Sequence, residues 1–213
     1  MFRFLPYLVR TLWRHRTRSL LTVSGSAVAL FVFTFILAVK SGLDQLTSQG
    51  ESTLIVFQAN KFCPATSHLP QDYALAIRQI PGVLDVAPIQ VFTNNCRASL
   101  DVIVFYGMAA EQVRQVRDFT LLAGDWNEFE RRQDGAIVGE ALARRRKLGV
   151  GQSFSVGDVT VRVVGVFQSH NRAEEDYVYC HLDFLQRTRG LDLVGTVTQH
   201  EVLLAEGASA AQV

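Results

Sequence analysis

A chain of 213 residues and 23.7 kDa has room for one generous domain or two small ones. With 48% hydrophobic and 19% charged residues and a mean hydropathy of +0.15, it is too polar to cross a membrane many times and too apolar to stay disordered; three cysteines exclude a disulfide-dense mini-protein and a four-cysteine zinc site. The net charge of +1 hides an asymmetry, because residues 1–18 carry five arginines and no acid (+5) while the rest hold 16 basic and 20 acidic groups (−4).

The first segment, residues 1–17, is basic and amphipathic: Leu5, Leu8, Val9, Leu12 and Trp13 share one helical side and Arg3, Arg10 and Arg14 another. That pattern predicts a helix lying along the cytoplasmic membrane interface. Leu20 to Val39 then runs twenty residues without a charge, which as a helix spans about 30 Å, the hydrocarbon thickness of a bilayer. We assign residues 18–49 to a transmembrane helix with an outward extension. Arginines precede the span and only Lys40, Asp44 and Glu51 follow it closely, so the positive-inside rule places the N-terminus in the cytoplasm and the bulk outside. Ala38-Val39-Lys40 is a poor cleavage site, which favours an uncleaved anchor over a signal peptide. Gly25 and Ala29 form a small-xxx-small pair, a candidate face for packing on another helix.

Residues 50–213 read as short strands and helices interspersed, hence an α+β domain. Thr53–Ala59 is a strand candidate. Pro70 sits at a helix start, and Asp72–Ile80 is a helix with Tyr73, Ala76, Ile77 and Ile80 on one side. Val83–Phe92 is a strand interrupted by Pro88, Ser99–Tyr106 another, Ala109–Val116 a helix and Leu121–Trp126 a turn region. The second half gives a strand at Gly135–Val138 and a helix at Gly139–Lys147 stopped by Gly149 with a positive φ. A hairpin of Ser153–Val156 and Val159–Phe167 turns at Gly157-Asp158. Tyr177–Cys180 is a strand, Leu182–Thr188 a helix and Thr196–Leu204 a last strand. Gly165, inside an almost wholly apolar strand, points to a bulge or a close backbone approach.

Chemistry-bearing motifs are sparse. No Gly-x-x-x-x-Gly-Lys-Ser/Thr, His-Glu-x-x-His or Gly-x-Ser-x-Gly sequence occurs, so we expect no ATPase or other catalytic residue, no cofactor and no metal in this chain. Glu174-Glu175-Asp176 reads as a solvated turn, and Arg144-Arg145-Arg146-Lys147 as a solvated helix face with no nucleic acid partner. Cys63 and Cys96 are disulfide candidates in an oxidising compartment, and Cys180 a buried thiol.

The order of LLAGDW (Leu121–Trp126), GAIVGEALARRRKLGVGQSF (Gly135–Phe154), VTVRVVGVF (Val159–Phe167) and YVYCHLDFLQ (Tyr177–Gln186) resembles the extracytoplasmic domain of MacB-like/FtsX-like ABC transporter permeases. Gly124, Gly139, Leu142, Ala143, Leu148, Gly149, Gly151, Val164 and Gly165 match the family pattern, while Asp125 stands where arginine is usual. The arginine-rich prelude, one span and Ser41–Leu43 are similar too. The resemblance implies an α+β MacB-like periplasmic core domain of two subdomains behind one transmembrane helix. It implies a permease subunit in a bacterial inner membrane that pairs as a homodimer with a separate ABC ATP-binding subunit and meets a periplasmic adaptor or lipoprotein. It also implies three further transmembrane helices after the domain, which this sequence does not contain, so a fragment or split gene is expected. The work would be mechanotransmission: export, lipoprotein release or activation of an envelope partner. A single-pass sensor or adhesion ectodomain is the alternative.

Overall fold

Residues 16–48, 53–61, 63–93, 102–171, 174–205 and 207–208 are described by this computed structural model. The chain divides into two units, residues 1–51 and 52–213.

The first unit is one helix, α1 (Arg16–Ser48). Its apolar side chains from Leu20 to Val39 are all exposed, so it is not the core helix of a soluble domain. Residues 16–42 are long and apolar enough to cross a membrane. The hydroxyls inside the apolar stretch turn back on the helix itself: Thr22 Oγ1 donates to the Arg18 carbonyl at 3.0 Å, Ser24 Oγ to Leu21 at 3.1 Å and Thr34 Oγ1 to Leu30 at 2.8 Å. Each removes a donor that hydrocarbon could not satisfy. The interfacial helix expected over residues 2–16 lies outside the described residues, apart from Arg16, which opens α1.

Among the described residues of the second unit, eleven strands alternate with five short α-helices. They are β1 (Thr53–Val56), β2 (Leu69–Pro70), α2 (Tyr73–Ile77), β3 (Val83–Thr93), β4 (Val104–Met108), α3 (Ala110–Val116), β5 (Phe119–Gly124) and α4 (Trp126–Arg131). There follow β6 (Gly135–Gly139), α5 (Glu140–Arg146), β7 (Ser153–Val156), β8 (Val159–Ser169), β9 (Tyr177–His181), α6 (Leu182–Arg189), β10 (Thr196–Val197) and β11 (Gln199–Leu204). Nine strands make one mixed sheet in the order β1-β11-β3-β4-β9-β6-β8-β5, with β7 beside the first half of β8. β4 pairs β9 and β6 pairs β8 in parallel; the other neighbours are antiparallel.

β3 divides the unit. Its first half pairs β11 and its last four residues pair β4, so one strand serves two packing regions. The small lobe has α2, β1, β11 and the start of β3 around Ala74, Val86, Val202 and Leu204. In the large lobe both sheet faces are covered. α5 and α6 pack Leu142, Ala143 and Leu185 on Phe105, Val138 and Val163; α3 and α4 pack Val113 and Phe129 on Ile137, Phe167 and Tyr179. This explains the apolar run of β8: a strand covered on both sides has no polar face to show.

Several sequence expectations are corrected. Pro88 does not interrupt β3. It lies opposite His200 in the ladder, and the Val86 carbonyl, two residues before, turns away from β11 toward side chains of Arg78 and Gln112. The missing N–H of Pro88 therefore falls on the unpaired edge, where a proline is tolerated. Pro70 starts no helix; it pairs with Thr196 as an edge residue of β2. α2 is shorter than expected, and its buried side is Ala74 and Ile77, leaving Tyr73, Ala76 and Ile80 exposed. The turn at Leu121–Trp126 is the end of β5 and the start of α4, with Asp125 as N-cap accepting from the Asn127 N–H at 3.1 Å. Thr198 splits the last strand into β10 and β11: its hydroxyl accepts from the Val91 N–H at 2.8 Å and donates to the Ile89 carbonyl at 3.1 Å. Finally, α5 is stopped by Lys147, not Gly149. Lys147 takes φ 54° and ψ 43°, the Leu148 N–H reaches back to the Ala143 carbonyl at 2.8 Å, and Leu148 packs on the core. That is a Schellman ending with lysine in the left-handed position.

Candidate functional site

The residues that link the two lobes form the best-built constellation of the second unit. Arg117 follows α3 and Glu201 sits in the middle of β11. The guanidinium grips the carboxylate with both nitrogens, Nη1–Oε1 at 3.0 Å and Nη2–Oε2 at 2.5 Å, and the two side chains are only 12% and 10% exposed. The same guanidinium lies over the rings of Tyr106 and Tyr179, at 5.9 and 5.7 Å. Burial holds both phenols far above their usual pKa, so both rings stay neutral. A second tie runs beside it, from Gln112 Nε2 in α3 to the Val86 carbonyl of β3 at 3.1 Å. α3 is thus fastened to the small lobe by a two-point ion pair and an amide.

A groove opens where the lobes meet. β4 leaves β3 after Gly107–Gln90, and the chain turns into α3 at Ala109. The space left is a cavity of about 860 Å³ whose lining includes Asp72, Leu75, Arg78, Val86, Pro88 and Glu111. A second cavity of about 400 Å³ shares Gln71, Ala109 and Glu111 with it and adds Glu130 and Asp183. Arg78 is committed to Asp85 at 2.5 Å.

The cysteine and histidines of the core are tied into the fold. Cys180 is buried and its thiol pKa is pushed far up by that burial. His181 is held at the Phe129 carbonyl at 2.6 Å and stacks on the Phe129 ring. His200 Nε2 bonds the Pro70 carbonyl at 3.1 Å. Among the described residues no group of three or more His, Cys, Asp or Glu is placed to hold a metal. In the acidic turn, Glu174 accepts from Ser169 at 2.8 Å and Asp176 pairs Arg145 at 2.8 Å.

The residues singled out in the sequence lie in three places. Gly25 and Ala29 are exposed on α1, with nothing within 4 Å of where a Gly25 side chain would start. Cys63 is half-buried before the short Pro64–Thr66 turn, while Cys96 falls outside the described residues, as does any bridge between them. The motif residues gather around β6, α5 and β8. Gly124 has φ +97°, and a Cβ there would strike the Val164 carbonyl. A Cβ on Gly139 would strike the Glu175 carbonyl, so β6 and the Glu174–Asp176 turn touch backbone to backbone. At Gly165 the ladder to β6 skips a residue, Ala136 facing Val163 and Ile137 facing Gly165. Leu142 and Ala143 are buried. Gly149 and Gly151 form the turn into β7, the Gly149 N–H donating to Gln152 Oε1 at 2.9 Å and the Gly151 N–H to the Val163 carbonyl at 2.7 Å. Gly124 and Gly139 thus let backbones approach, whereas Gly149 and Gly151 have open space around them and serve the turn, Gly151 at φ +88°.

The sequence profile of the MacB-like periplasmic core domain family matches residues 19–213. The chain belongs to that family. A search of curated proteins finds no match. Among solved structures, the periplasmic region of MacB from Actinobacillus actinomycetemcomitans aligns with a TM-score of 0.54 at 14% identity, over 76% of this chain and 78% of that one. The extracellular domain of YknZ, a noncanonic ABC-type transporter from Gram-positive bacteria, aligns at 0.51 and 15% identity, over 74% and 84%. At such identities these likenesses speak for the fold. The chain thus joins a MacB-like periplasmic core domain to one apolar helix, residues 16–42, long and apolar enough to cross a membrane.

The Arg117–Glu201 link escaped the sequence reading. Nothing in Val116-Arg117-Asp118 or His200-Glu201-Val202 marks a pair 84 residues apart. The one available signal was a glutamate within the strand candidate Thr196–Leu204, which must find a cation if it is buried.

Proposed function

We propose that the chain is a membrane subunit that transmits motion generated by ATP hydrolysis in a separate ATP-binding subunit to its own MacB-like domain. Its N-terminus lies in the cytoplasm and residues 52–213 lie outside. In the assembly it forms a homodimer, and the moving domain serves export, lipoprotein release or activation of an envelope partner such as an adaptor. The observation that carries this reading is the pairing of a bare, membrane-length helix with a MacB-like body along one chain. α1 is continuous for 33 residues, about 50 Å of rod, so displacement at its cytoplasmic end reaches its outer end without a soft joint. Within residues 52–213, the Arg117–Glu201 pair ties β11 to the large lobe, so a pull on one lobe is passed to the other.

Two measurements test it. Affinity-tagged chain extracted from membranes should carry an ABC ATP-binding subunit with it; recovery of the chain alone would favour the sensor or adhesion reading. Protease added to spheroplasts should digest residues 52–213 and leave the N-terminal arginines protected; the opposite pattern overturns the orientation.

A further inference from the structure

The ribbon of β2 and β10 is the smallest paired element among the described residues. It joins only Leu69–Pro70 to Thr196–Val197, and the Gln71 N–H adds one bond to the Gly195 carbonyl at 2.9 Å. Two buried side chains fasten it. From α6, Gln186 Nε2 donates to the Thr196 carbonyl at 2.7 Å and to Gln71 Oε1 at 3.1 Å. From β11, His200 Nε2 meets the Pro70 carbonyl at 3.1 Å. The amide has no charge state to change; the imidazole has.

A carbonyl only accepts, so neutral His200 carries its proton on Nε2 and a lone pair on Nδ1. The ring is fully buried, and Nδ1 is sealed from solvent with no hydrogen-bond partner among the described residues. His181, the other buried histidine, also rests on a carbonyl but has no such sealed, unpartnered nitrogen. Protonation puts an N–H on Nδ1 where water cannot reach it, and a fold pays heavily for a buried cation without a partner. The neighbours supply little counter-charge. Pro88 of β3 and Val56 of β1 lie opposite His200, Gln90 two residues along β3 is uncharged, and Glu201 is committed to Arg117. Burial accordingly depresses the His200 pKa, against smaller upward pulls from the Pro70 carbonyl and the Asp72 carboxylate. Asp72 is exposed and stands two residues beyond Pro70. It opens α2, yet its carboxylate caps no helix N–H and makes no ion pair among the described residues.

We propose that His200 is a pH-operated clasp on the β2–β10 ribbon: neutral, it holds the Pro70 carbonyl; protonated, its ring leaves the buried seat for the Asp72 carboxylate and frees that end of the ribbon. Gln186 keeps the Thr196 end in place, so the ribbon loosens without detaching. Two residue pairs are little to hold it shut, which makes it a low-cost unit to open. Pro70, Gln71 and Gly195 line the cavity of about 860 Å³ between the lobes, so that wall loosens with the ribbon. A side chain kept only to hold Pro70 could equally be glutamine, whose amide donates without titrating. The inference is independent of whether an ATPase drives the chain.

The test is hydrogen exchange read by mass spectrometry on the full chain in detergent, at about pH 7.5 and about pH 5.5, either side of an ordinary histidine pKa, with the intrinsic pH dependence of exchange divided out. Peptides covering β2 and β10 should lose protection about three- to tenfold at the lower pH while those covering β6 and β8 keep theirs. His200→Gln should hold the ribbon equally protected at both. His68→Gln, at the exposed histidine before β2, should leave the response intact. Asp72→Asn, a surface change, should shrink the response, and it provides the comparison if His200→Gln melts early. Ribbon exchange that ignores pH, a response retained in His200→Gln, undiminished in Asp72→Asn or lost in His68→Gln, or a loss of protection spread equally over β6 and β8 overturns the proposal.

Discussion

Lys147 is the clearest strained residue. It holds a left-handed conformation at φ 54° that a non-glycine side chain adopts at a cost of about 1–2 kcal/mol. Lys147→Gly removes that cost and adds back some unfolded-chain entropy, so a net gain of about 0.5–1 kcal/mol is expected in thermal or denaturant melts. A loss would mean the lysine makes a contact that outweighs the strain. Gly139 is the converse case. Its missing side chain is the space occupied by the Glu175 carbonyl, which belongs to backbone and cannot swing aside. Gly139→Ala should cost about 3 kcal/mol, the top of the usual range for overpacking, and should loosen the Glu174–Asp176 turn in hydrogen exchange. His200 adds a pH dependence. Its folded pKa lies below its ordinary 6.5 because of burial, so the unfolded chain binds more protons in the window between the two values. Stability is complete above pH 6.5 and falls as pH drops through that window; His200→Gln should flatten this slope.

Among the elements, β8 and its neighbours were legible because a doubly covered strand, a Gly-Asp hairpin and apolar helix faces are local patterns. β3 was legible as a strand but its continuity through Pro88 was not, because the effect of that proline depends on which edge is paired, a fact settled by β11 more than a hundred residues later. β5 was hidden for a related reason. It is an edge strand whose exposed position Leu122 carries an apolar side chain, so the sequence lacks the alternation of apolar and polar residues that a strand would show. The Arg117–Glu201 link was out of reach for any local pattern, and it yields the prediction proper to this scale. Arg117→Met leaves a carboxylate that is 10% exposed without its partner, and should cost about 3–5 kcal/mol. Adding Glu201→Leu should recover most of that loss, since two apolar side chains can replace a buried pair at little cost. If the link also carries motion between lobes, the double variant will be stable yet will uncouple ATP turnover in the partner from transport. A double variant that is stable and fully coupled removes the pair from the mechanism.

At the scale of the whole molecule, the membrane helix is where association can be tested without disturbing the fold. Gly25 has open space around it and Ala29 is exposed, so larger side chains there meet nothing within the chain. Replacing glycine by leucine also strengthens the helix itself. Any loss of assembly in Gly25→Leu with Ala29→Leu must therefore arise between helices, where small residues permit close backbone approach. We expect homodimerisation measured by energy transfer in nanodiscs to weaken about tenfold, in keeping with the 1–2 kcal/mol scale of interhelical contacts. The variant should keep the melting behaviour of residues 52–213, because those residues form a unit of their own. Should dimerisation persist unchanged, the small-residue face is incidental and the dimer contact, if one forms, belongs to the extracytoplasmic body.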